Sequence, residues 1–294
     1  MTTAPDRLLR QLEWRVIRRL DGRLQGAFRT SHRGAGVDLT GIRPYVEGDD
    51  ARSIDWNATA RLDEPHVREF LEDRELTSWL VLDRSASMRA GLPGRGKADV
   101  LAELALVLAR LLGRAGNRVG AILYDGSTTR VVPPGTGRVQ ALRIGRELSR
   151  EAPSGPGETT DLAAMFETVA SVARRRALVI AVSDFIGVGE WDRPLLRLAD
   201  RHEVVALRIV DASDEALPAM GLVVVEDAET GEQLVVDSSD PLFRAALEDG
   251  VLERESGIMA RMRRARVPVH RVDTDRDLVD ALVEMVASTQ RRVS

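Results

Sequence analysis

From Leu76 onward, short apolar runs of strand type alternate with longer segments of helical period, and few folds accommodate that rhythm. LTSWLVLD ending at Asp83, RVGAILYD ending at Asp125, ALVIAVSDF, HEVVALRIVD and VPVHRVDT are rich in apolar residues along their whole length. Strands of that kind are buried on both faces, as in a parallel sheet covered by helices on either side. The segment KADVLAELALVLARLLGRAG places Leu101, Leu104, Leu108 and Leu111 three or four residues apart, the spacing of one helix face. RRARV closes a further helical stretch before the last strand. The fold class that follows is α/β, with a doubly wound, mainly parallel sheet and helices on both faces. Two hairpins break the rhythm. Asp125-Gly126 predicts a tight turn that returns TTRVVP as an antiparallel edge strand, and GLVVVEDAETGEQLVVD turns near Thr230-Gly231 as an insertion at about 221–239.

The first 75 residues have another character. A basic amphipathic helix is expected from Arg7 to Leu20, followed by a Gly-rich stretch with short extended pieces around GVDLTGIRPYVEGDDARSIDW. The expected organisation is an N-terminal extension, 1–75, and an α/β domain, 76–294. No run reaches the roughly 18 apolar residues that span a bilayer, and the N-terminus lacks the apolar centre of a secretory signal. Both features predict a cytoplasmic protein without a membrane span. Lys and Arg number 42 against 46 Asp and Glu, a formal charge of -4, so there is no electrostatic reason to expect nucleic acid as a partner. The Arg-rich pieces at 174–176 and 261–267 read as solvated helix faces. With no cysteine, disulfides, thiolate ligands and thiol nucleophiles are all excluded.

Three loops fall at the carboxyl ends of the predicted strands, where open parallel sheets bind their ligands. LVLDRSASM runs an apolar strand into Asp83, with Ser85 and Ser87 at alternating positions that point to one side of an extended turn. SGPGETTDL brings a Gly-rich backbone to Thr160 and Asp161 at a helix start. LVIAVSD ends a further strand in Asp184. Together Asp83, Ser85, Ser87, Thr160 and Asp184 make an all-oxygen set suited to a hard cation such as Mg²⁺ or Mn²⁺. Taken singly, the same residues are ordinary turn and cap residues.

D-x-S-x-S with a later Thr and a later strand-end Asp resembles the metal-ion-dependent adhesion site of von Willebrand factor A domains. That resemblance implies a metal held by the hydroxyls, with the two aspartates acting partly through water and an open position that attracts a partner's carboxylate. GAGVDLTGIRPYVEGDDARSIDWNATAR leading into LVLDRSASM, then GETTDL, VSDF and LPAMGLVVVEDAETGE, resembles the domain-of-unknown-function 58 (DUF58) family of bacterial proteins over about Gly34 to Asp273. The resemblance implies a von Willebrand factor A-like domain, a protein-interaction role and a MoxR-type AAA+ ATPase, or the client it remodels, as partner. Many relatives carry N-terminal membrane helices, which this sequence lacks. Arg43, Tyr45, Asp49, Asp50, Arg52, Asp55, Trp56 and Arg61, with Gly48, belong to the family signature. They read either as a partner-docking surface or as local structure, with Gly48 in a turn, Trp56 in the core and the charges in salt bridges.

Two enzymatic readings compete. GLPGRGKA, Gly91 to Ala98, comes within one residue of a phosphate-binding loop, but Ala98 stands where a hydroxyl is needed and the preceding strand ends eight residues early. In the simpler reading these glycines form a turn and Lys97 opens the next helix. A hydrolase using Ser85 or Ser87 finds no G-x-S-x-G elbow, and His32, His66, His202 and His270 are scattered. The expectation is therefore a non-enzymatic, metal-dependent interaction module, with a nucleotide- or phosphoester-processing enzyme using the strand-end carboxylates as the alternative.

Overall fold

The computed structural model of the chain describes residues 33–46, 49–71, 77–90, 94–114, 117–126, 128–150, 160–227 and 230–293. The helix expected at residues 7–20, Gly48, residues 91–93 of the phosphate-loop-like segment and residues 154–159 of the Gly-rich loop lie outside them. Arg29–Glu75 forms one unit, and Leu76–Ser294 lies in a second.

In the smaller unit, strand β1 (Arg33–Pro44) pairs antiparallel with β2 (His66–Leu71), and a short 3-10 turn, Ala51–Ser53, and helix α1 (Trp56–Leu62) connect them. Aspartates start both helical pieces. Asp50 Oδ1 accepts from Arg52 N at 2.9 Å, and Asp55 Oδ1 accepts from Asn57 N and Ala58 N at 3.0 Å each, which satisfies amides that a helix start leaves open. Arg43 donates two hydrogen bonds to Asp49, at 2.6 and 2.7 Å, and this guanidinium holds the Asp49 carboxyl down at about 2. The Arg43–Asp49 pair is thus a salt bridge, as the local-structure reading had it. Trp56 departs from that reading: it is 70% exposed and not core. As the first helical residue after the Asp55 cap it points outward, while Ala58 and Val67 take the buried positions.

The larger unit runs β3 (Thr77–Asp83), α2 (Ala86–Arg89), α3 (Lys97–Leu112), β4 (Arg118–Tyr124), β5 (Thr129–Gly135), α4 (Gly137–Leu148), α5 (Leu162–Val172), β6 (Leu178–Ser183), α6 (Asp192–Arg201), β7 (Glu203–Val210) and α7 (Ala212–Glu215). It continues with β8 (Leu222–Glu226), β9 (Gln233–Asp237), α8 (Pro241–Arg264), β10 (Val269–Asp273) and α9 (Leu278–Val293). Six strands form the main sheet in the order β10-β7-β6-β3-β4-β5, and every neighbouring pair is parallel except β4 with β5. Side chains alternate across the sheet. Leu80 and Leu82 join a core with α3, α4 and α9 on one face, whereas Trp79 and Val81 join another with α5, α6 and α8 on the opposite face. The sheet is therefore doubly wound, with the antiparallel edge that Asp125-Gly126 predicts: Gly126 takes φ 100 and Asp125 Oδ1 accepts from Thr128 N and Oγ1.

Strands β8 and β9 make a separate two-stranded sheet with Val224 opposite Val235, and Gly231 turns at φ 72. Among the described residues no helix is long and apolar enough to cross a membrane.

Candidate functional site

The strand order of the main sheet reverses between β3 and β6, and a crevice opens at the carboxyl ends of strands on either side of such a point. Asp83 is the last residue of β3, and Asp184 follows the last residue of β6. Both are buried. Asp83 Oδ1 accepts from Ser85 N at 2.9 Å and its Oδ2 from Ser183 Oγ at 2.6 Å, while Ser183 Oγ in turn accepts from Phe185 N at 2.8 Å. Burial, and after it the negative charge of Asp184, push the Asp83 carboxyl up to about 6 despite these hydrogen bonds.

Asp184 Oδ1 accepts from Ile186 N at 3.0 Å, and its Oδ2 accepts from Lys97 Nζ at 3.0 Å. Nothing in the sequence singles out this lysine for such a role. The same Nζ donates to both oxygens of Asp214 in α7, at 2.9 and 3.0 Å. Burial by itself lowers an ammonium's pKa, but the carboxylates of Asp184 and Asp214 outweigh it and hold Lys97 above its ordinary value. Beside them lies Arg208, also buried, whose Nε donates to Asp184 O at 3.0 Å while its terminal nitrogens donate to Glu255 in α8.

Ser85 occupies the position before α2, yet its hydroxyl makes no cap; it lies 3.1 Å from Ser87 Oγ, and both residues are buried. Thr160 is buried too, and its carbonyl accepts from Val188 N at 3.2 Å. The backbone at Gly187 passes so close that a Cβ there would stand 2.7 Å from Thr160 O. That contact ties Thr160 to the segment following Asp184, and Asp161 then caps α5 by accepting from Ala164 N. Phe185, bulky and at φ 55, is held in the left-handed region between the Ser183 hydroxyl and the Trp191 ring, 5.9 Å away. A conformation of this kind costs about 1–3 kcal/mol and is found where packing over-determines it, often at functional sites.

The rim therefore gathers Asp83, Ser85, Ser87, Thr160 and Asp184, all oxygen donors, with Asp214 close by. Asp184 and Asp214 share the Lys97 ammonium, while Asp83 accepts from an amide and a hydroxyl and lies under the negative charge of Asp184, a charge that either a proton on Asp83 or a bound cation can offset. Among the described residues no group of three or more His, Cys, Asp or Glu side chains is placed to hold a metal. A cation at this rim would depend on the hydroxyls, and the donor chemistry fits a hard divalent ion.

A family model described as protein of unknown function DUF58 matches residues 41–256. The chain belongs to the DUF58 family. Among its relatives, the uncharacterized protein Rv1480 of Mycobacterium tuberculosis is 36% identical over 284 residues, covering 96% of this chain and 89% of that protein. The uncharacterized protein MAV169 of Mycobacterium avium is 31% identical over 162 residues, 54% of this chain and 94% of its own. Solved structures similar to this DUF58 chain include the conserved hypothetical protein BatB from Bacteroides thetaiotaomicron, at 16% identity and TM-score 0.49 over 74% of this chain and 99% of that one. The SpRpn10 VWA domain follows at 13% identity and TM-score 0.40, over 72% and 95%. The doubly wound sheet with one antiparallel edge, described above, is itself the von Willebrand factor A-like architecture expected from the sequence.

Proposed function

We propose that this DUF58 domain is a metal-dependent protein-interaction module. Ser85, Ser87 and Thr160 would hold a Mg²⁺ or Mn²⁺, and Asp83 and Asp184 would supply the negative charge that retains it. The observation that supports this most is the burial of three hydroxyls and two carboxylates together at the switch point of the sheet. When bound, the ion offers a Lewis-acidic position to a carboxylate from outside. The chain's own residues fix that position, because Asp83 is locked by Ser85 N and Ser183 Oγ and Asp184 by Ile186 N. We propose as partner a MoxR-type AAA+ ATPase or the client it remodels, contributing an Asp or Glu.

The test is a pull-down with a MoxR-type AAA+ ATPase from the same organism. Capture is expected in Mg²⁺, lost in chelator, restored by Mn²⁺, and weakened by Ser85→Ala, Ser87→Ala, Thr160→Ala and Asp184→Ala. Capture that ignores both chelator and Asp83→Ala would reject the metal-bridged contact and direct attention to the Arg43 to Arg61 segment. The enzymatic alternative has less support. Lys97 is buried against Asp184 and Asp214 rather than presented to a phosphate, and purified protein is expected not to hydrolyse ATP.

A further inference from the structure

Lys97 is a buried charged group at the rim that a cation-binding role leaves unexplained. Its side chain is 2% exposed, and its three donors reach three carboxylate oxygens. Burying an ammonium is expensive, and a buried ion pair stabilises a fold no better than an apolar side chain of similar size, so stability alone gives little reason for lysine here. What the position does provide is a positive charge on Asp184, one of the two carboxylates of the proposed cation site.

We propose that Lys97 is an internal competitor for that site: its ammonium and a divalent cation are alternative partners of Asp184, and Asp214 retains the ammonium once it is displaced. This rests on the cation reading given above. Two features support the exchange. Nζ already contacts both oxygens of Asp214, so the lysine keeps a bidentate partner when it gives up Asp184. Its four-carbon stem also leaves the ammonium free to swing, which an arginine fork at the same place would resist. Asp214 lies in the four-residue helix α7, and its carbonyl accepts from Arg254 of α8 at 2.5 Å, so the receiving carboxylate is anchored independently of the rim.

The competition makes two predictions of opposite sign, measured by calorimetric titration of the full chain with Mn²⁺ after chelator treatment. Lys97→Met removes the competitor and should tighten Mn²⁺ binding by about tenfold or more, since affinity at such sites follows the charge of the ligand set. Asp214→Asn leaves the displaced ammonium without a carboxylate and should weaken binding by about fivefold or more on the same grounds. A merely loosened fold would weaken both. Equal affinity in wild type and Lys97→Met would overturn the competition while leaving the cation site standing. Binding by Lys97→Met alone would establish the competition and remove the cation reading for the native chain. No binding in any form, Asp83→Ala included, would remove both. Should Lys97→Met be unfolded in chelator, recovery of a cooperative melt on adding Mn²⁺ would support the exchange, and failure to recover would refute it.

Discussion

Asp83 is a single residue whose environment can be read out as pH dependence. Folding raises its carboxyl from 3.8 to about 6, so between those values the cation-free folded protein binds more protons than the unfolded chain. Its contribution to stability is full below about pH 4 and is lost as pH rises through about 6, a change on the order of 2–3 kcal/mol. In chelator, the melting temperature of wild type should therefore fall from pH 4.5 to 7, and Asp83→Asn should flatten that fall; the same slope in both proteins would show that other groups cause it. A second test is steric. Gly187→Ala places a methyl group against Thr160 O, and should weaken Mn²⁺ binding while costing about 1–2 kcal/mol in chemical denaturation. The positions of Asp83 and Asp184 are legible in the sequence because apolar runs mark the strand ends there, and Ser85 and Ser87 follow from their spacing after Asp83. Lys97 is not, since a lysine opening a helix ordinarily faces water, and its partners lie 87 and 117 positions away.

Among the elements, the strands and α3 follow from local pattern, and the β4–β5 and β8–β9 hairpins from their Asp-Gly and Thr-Gly turns. The β1–β2 pairing is harder to foresee, because its strands are separated by capped helical pieces and its register shifts between Arg33 and Asp38 and again between Leu39 and Gly41. Trp56 shows why a large aromatic residue alone does not mark a core: its place relative to the Asp55 cap decides its exposure. Helix α8 carries little apolar patterning, with Ile258 and Met262 its buried residues, and is joined to the rim instead by Glu255 on Arg208. Arg208→Met should consequently cost about 3 kcal/mol in urea unfolding, because it leaves the partly buried Glu255 carboxylate without its cation. A loss below about 0.5 kcal/mol, typical of a surface change, would show that α8 does not depend on this pair.

At the scale of the whole molecule, every described residue of both large cores lies beyond Leu76, on either face of one sheet. A fragment spanning residues 76–294 should accordingly melt in one cooperative transition detectable by calorimetry, whereas a broad, non-cooperative signal would mean that residues before Leu76 are needed to complete the domain. The main sheet also orders events in time. The hydrogen bond from Ser183 to Asp83 joins residues 100 positions apart, and β6 must dock beside β3 before the rim exists. A ribosome needs on the order of ten seconds to add that many residues. Until then Asp83 is an ordinary hydrated side chain on an emerging polypeptide, so a partner that recognises the assembled rim passes over nascent chains and engages those synthesised past Asp184.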